Sequence, residues 1–212
     1  MKKALLGLFI CIFFAGSVLV AKRTEVLEKP IDLAKYKFPK VNGNIVKACS
    51  YADVTGENLI LLTETDFVTK TDKYENEVRS KELFAYRYLV KKGGAHKQVW
   101  RVTDFVRDCD LDGMTVSFIA DAFRVTDLNK NGEAEIWMAY ILNCAGDPGP
   151  MDMKIIMYEG GKKYAVRGTT RSAVSENNYA GGEYTLDAAF ASGPAVFTAF
   201  AKELWEKYKN QY

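Results

Sequence analysis

The chain has 212 residues, of which 48% are hydrophobic and 26% charged, with a formal net charge of +2. That composition belongs to a folded chain long enough for one domain with a sizeable core, which excludes a disordered or low-complexity protein. The near-balance of acids and bases excludes the electrostatic footprint of a nucleic-acid binder.

The opening stretch, MKKALLGLFICIFFAGSVLVAKR, sets Lys2 and Lys3 ahead of an uncharged run from Ala4 to Ala21. That is the form of a secretory signal peptide. Ala15 and Ser17 supply the pair of small residues a signal peptidase needs, so residues 1–17 are read as the signal, with cleavage after Ser17 and an exported product in the periplasm, at the cell surface or secreted. The alternative is an uncleaved anchor, because about 18 apolar residues stand near the lower limit for crossing a bilayer. No other membrane attachment is expected, and the branched Ile10 disfavours lipidation at Cys11. Cleavage removes two lysines and no acid, leaving 27 bases and 27 acids.

Residues 18–43 carry Pro30, Pro39 and Gly43 without a sustained period and read as an extended N-terminal segment. Residues 44–212 read as a single β-rich domain. Short runs of alternating β-branched and aromatic residues at 44–52, 58–65, 82–90, 97–106, 115–120, 135–142, 153–160 and 162–170 predict strands. The loops KKGGAHK and EGGKK have hairpin length, and no strand leads into a crossover helix, so neighbours are expected to run antiparallel. From Ser192 the period changes: Val196, Phe200, Leu204, Tyr208 and Tyr212 fall at helical spacing, with Ser192 as cap and Pro194 in the first turn. About 19 residues would span about 28 Å and cover one sheet face. The expected fold is α+β: mostly antiparallel sheet, curved or sandwich-like, with one C-terminal amphipathic helix over 193–210.

The stretch VTDLNKNGEAEIWMAY carries the most chemistry. Calcium takes six to eight oxygens, and a short loop supplies them when alternate side chains point inward. Asp127, Asn129 and Asn131 occupy loop positions one, three and five, Gly132 allows a bend at six, Glu133 offers its carbonyl at seven, and Glu135 stands at nine. Met138 at position twelve, where a helix-loop-helix sensor needs glutamate, argues against that family. The loop instead resembles the calcium loops of FG-GAP and related propeller repeats, which implies a loop conformation and, in a single copy, not a propeller. With asparagines at two positions, affinity is expected at about 10⁻⁴ to 10⁻³ M. The plainer reading is a polar turn in which Asp127 and Asn129 bond backbone amides while Asn131 and Gly132 adopt positive φ. A weaker second loop, DCDLDG, repeats the spacing with Asp108, Asp110 and Asp112, but Val116 fills its ninth position.

Three cysteines follow the signal. The preferred pair is Cys109 with Cys144, whose strands flank the quoted region; the alternative is three buried thiols acting as small hydrophobes. His96 stands in a glycine loop without a serine or cysteine pattern, and no phosphate-cradling motif occurs, so an enzyme is not expected. Arg167 and Arg171, in YAVRGTTR, are candidate ligand contacts for a sugar acid or phosphate through their guanidinium forks. The plainer and expected reading of 164–171 is an edge strand with solvated charges.

The strings DLN-NG-AE and MYEGGKKYA-RG, with TGENLILLTET nearer the front, resemble a family of small secreted proteins of Gram-negative bacteria labelled surface polysaccharide biosynthesis protein. The resemblance spans most of residues 44–171 and implies a link to cell-surface glycan. The sequence therefore reads as an exported envelope binding or accessory protein, with envelope glycan or an envelope protein as partner and calcium as the candidate ion. The alternatives are a carbohydrate-active hydrolase using an unlocated Asp/Glu pair, and a purely structural envelope protein.

Overall fold

A computed structural model describes residues 28–33, 36–146 and 148–210. The signal segment assigned to 1–17, its anchor alternative and the start of the 18–43 segment lie outside the described residues. Among the described residues no helix is long and apolar enough to cross a membrane.

The strands in chain order are β1 (Lys29–Pro30), β2 (Asn44–Asp53), β3 (Gly56–Glu64), β4 (Val68–Thr71), β5 (Glu77–Val90), β6 (His96–Cys109), β7 (Gly113–Phe118), β8 (Arg124–Thr126), β9 (Glu135–Ala145), β10 (Asp152–Glu159), β11 (Lys162–Thr169), β12 (Arg171–Ser175), β13 (Asn178–Gly181) and β14 (Tyr184–Leu186). All pairings are antiparallel. The first sheet runs β1-β2-β3-β5, with β4 along the first residues of β5 and β6 also paired to β5. The second runs β14-β11-β10-β9-β7, with β8 against the start of β9. β12 and β13 form a separate hairpin.

Alternation along the strands explains how two sheets make three apolar layers. In β9, Ile136, Met138, Tyr140 and Leu142 face the other sheet, while Trp137, Ala139 and Ile141 face the helices. Both faces are buried, which is why the sequence there is continuously apolar. In the first sheet, Ile60, Leu62, Leu83 and Ala85 point inward, whereas Leu59, Leu61, Phe84, Tyr86 and Tyr88 point outward beneath Ile31, Tyr36, Phe38 and Val41. The segment before β2 is thus a cover for the first sheet, beyond its extended character. Tyr36 also bonds His96 Nε2 at 3.0 Å, which gives that half-buried histidine a packing role.

The C-terminal helix α2 (Ala195–Tyr208) covers the second sheet with Phe197, Ala201, Leu204, Trp205 and Tyr208. A short helix α1 (Ala188–Ala191), capped by the Asp187 side chain, precedes it. Ser192 closes α1 and Pro194 stands at the N-cap of α2, which moves the expected start by two residues. The cause is local: Asp187 accepts the Ala189 amide and opens a turn that the C-terminal periodicity did not include. β11, expected as an edge strand, lies between β10 and β14. Cys109 and Cys144 form a disulfide, stapling the end of β6 in one sheet to β9 in the other.

Candidate functional site

The loop between β8 and β9 begins with a carboxylate turned back on its own backbone. Asp127 Oδ2 accepts the Gly132 amide at 3.1 Å, Asn129 Oδ1 the Asn131 amide at 3.1 Å, and Asn131 Oδ1 the Glu133 amide at 2.8 Å. The left-handed residues are Lys130 (φ 59°) and Gly132 (φ 83°), in place of the expected Asn131 and Gly132. Glu135 is fully buried, and its carboxylate accepts Thr126 Oγ1 at 2.7 Å and the Leu128 amide at 2.9 Å. Burial holds its carboxyl above the usual glutamate range, against the pull of those bonds and with the Asp127 charge adding to the rise.

A residue outside the nine-position frame completes the loop. Glu159, at the end of β10, accepts Asn129 Nδ2 at 2.5 Å and Asn131 Nδ2 at 2.8 Å through one oxygen. Sequence spacing could not find it, because it arrives through the β9–β10 pairing of Glu135 with Glu159. Asp127 Oδ1 is buried without a hydrogen-bond partner. Among the described residues no three His, Cys, Asp or Glu side chains gather as a metal-holding group. An ion here would rest on Asp127 Oδ1 together with asparagine and carbonyl oxygens. The two asparagine oxygens each keep a second lone pair, so this donor set fits a hard cation.

The loop also joins the two sheets. The Val54 amide donates to Gly132 O at 2.9 Å, and Asp53 Oδ2 accepts the Ala134 amide at 3.2 Å. Asp53 Oδ1 accepts Thr55 N and Oγ1 at 2.8 and 2.5 Å, while Arg87 lies 3.7 Å from Oδ2 and bonds Asn58 Oδ1 and Thr55 Oγ1. Beside this cluster a pocket of about 410 Å³ is lined by Thr55, Arg87, Lys97, Glu133 and Gly160. The Glu133 carboxylate lies over Gly160, so of this residue the loop keeps only its backbone.

At the second acidic loop, Arg79 Nη2 donates to Leu111 O and Asp112 O at 2.7 and 2.8 Å. Arg79 already supplies a cation to this turn, while Asp108, Asp110 and Asp112 are exposed. Cys49 is buried and unpaired, and burial pushes its thiol up to about 12, leaving it an inert core group.

The structure separates the two candidate arginines. Arg167 is exposed on β11 and paired in register with Lys154, near Lys163, whose amine is lowered by burial and then by the Arg167 charge. Arg171 opens β12 and lines a cleft of about 950 Å³ with Thr115, Asn143, Ser172, Tyr179 and Asn210. Its guanidinium lies 3.9 Å from the Tyr179 ring centre, and Tyr179 is 51% exposed. No aspartate or glutamate stands among the described lining residues. No family model, curated protein or solved structure matches the chain.

Proposed function

We propose that the chain is an exported cell-envelope protein that binds surface polysaccharide, or assists in handling it, and that calcium is a structural ion of its 127–135 loop. The supporting observation is the Arg171–Tyr179 cleft, an open groove combining an exposed aromatic ring, amides and hydroxyls. Such lining suits sugar rings and their hydroxyls. The resemblance to secreted surface-polysaccharide proteins supports the same assignment. The alternative, a glycosidase, would need two carboxyls about 5 to 9.5 Å apart facing the sugar.

Calcium would be held by Asp127, Asn129, Asn131 and the Glu133 carbonyl. When bound it supplies charge to the buried Asp127 oxygen and fixes the connection between the sheets. The protein should bind envelope polysaccharide on a glycan array without releasing reducing ends. Turnover would favour the hydrolase, and absence of glycan binding with copurifying envelope proteins would favour a structural role.

A further inference from the structure

We propose, resting on the glycan-binding reading above, that this cleft selects anionic saccharides and that Arg171 reads the acidic group. Arg171 is fixed at three points. Its amide donates to Lys209 O at 2.7 Å, which ties the start of β12 to the end of α2. Its aliphatic stem lies against Gly182, where an added Cβ would meet Arg171 Cβ, Cγ and Cδ at 3.2 to 3.6 Å. Its guanidinium is in contact with Tyr179. A guanidinium held in this way loses little freedom when a ligand binds.

No described residue takes up the donors of that guanidinium. Arg87 and Arg107 face carboxylates, and Arg79 and Arg124 donate to backbone carbonyls. Among the described residues, Arg171 has neither an ion pair nor a side-chain hydrogen bond, and it is the only charged group in the cleft's described lining. Among the described residues this cation has no counter-charge, and with neutral hydrogen-bonding groups beside it the described lining is complementary to a ligand that brings its own anion on a polyhydroxyl frame. Asn143, Asn210, Thr115 and Ser172 meet hydroxyls, while Arg171 meets a carboxylate or phosphate ester.

Titration calorimetry of the purified protein tests this with three chains: hexagalacturonate, which carries carboxylates; a phosphomannan; and neutral maltohexaose. One anionic chain is expected to bind at least about tenfold tighter than the neutral one, and the preferred chain identifies the anion. R171Q should weaken that binding by about tenfold or more, and R171K, which keeps charge but loses the fork, by less. Unchanged melting of R171K confirms an intact fold should R171Q be unstable. Equal binding of neutral and anionic chains would overturn the anionic assignment while leaving the glycan reading standing. Anionic binding untouched by both substitutions would move the site elsewhere and overturn the role of Arg171. Binding of none of the chains, nor of envelope polysaccharide, would remove the glycan reading itself.

Discussion

The carboxylate of Asp53 accepts the Ala134 amide at 3.2 Å across 81 positions of sequence. One acid at the tip of the β2–β3 hairpin thereby holds the far end of the 127–135 loop and faces Arg87. The Arg87 and Asp53 side chains are 3% and 1% exposed. Removing either leaves the other charge buried and uncompensated, at a cost of about 3 to 5 kcal/mol. D53A should lower the urea midpoint accordingly. A loss below about 1 kcal/mol would mean that water reaches Arg87 and that the cluster does not join the sheets.

G132A carries two penalties, because an added Cβ meets Val54 Cγ1 at 2.6 Å and the φ of 83° disfavours an L side chain. The expected loss is about 1 to 3 kcal/mol. Adding V54A removes the collision and leaves the backbone term. The double variant should therefore recover part of the loss, while full recovery would show that the backbone conformation costs nothing.

The disulfide closes a chain segment with a sequence separation of 35. Loop-closure entropy gives about 4 kcal/mol for that length. The C109A/C144A protein should unfold at correspondingly lower denaturant, with no free-thiol reactivity from buried Cys49 until it unfolds. Native-state labelling of Cys49 would contradict its burial.

The architecture was legible where periodicity was strong and local. The β9 run and the β10–β11 glycine hairpin declare their partners through one face or two, as does the helical stripe at Leu204 and Tyr208, although its first member Val196 is exposed and its last, Tyr212, lies outside the described residues. Residues 171–186 were not legible, because β12, β13 and β14 are three to five residues long and polar, too short for alternation to register. The cleft built on them was hidden for the same reason, although Arg171 itself stood out. In the loop, spacing identified the Asx frame but not Glu159 or Asp53, since side chains brought in by strand pairing leave no local pattern. Ser192 misled because a good capping residue also suits the end of the preceding short helix.

Calcium should raise the melting temperature if Asp127 Oδ1 is an ion ligand. At ten times Kd the gain is about 1.4 kcal/mol. D127N should abolish the response and E159Q should leave part of it, since Glu159 contacts the loop through the asparagine amides. Identical melts in calcium and in chelator would remove the ion and leave a hydrogen-bonded turn.

Glu135 makes the loop sensitive to pH in a direction set by its burial. Its carboxyl in the folded chain titrates above the ordinary 4.5, with desolvation as the main cause. Between the two values the folded state holds a proton that the unfolded state has released. The contribution of Glu135 is therefore fully present below about pH 4.5 and is lost as pH rises through the folded value. E135Q keeps the side-chain shape without the titration, so the wild-type curve minus the E135Q curve isolates this residue from every other acid. That difference in urea midpoint should fall with rising pH across the window. Calcium beside Asp127 would favour the ionised carboxylate and narrow the window, which links this measurement to the ion. A difference curve that stays flat would show Glu135 ionising alike in both states, and its burial would then exert no control over the loop.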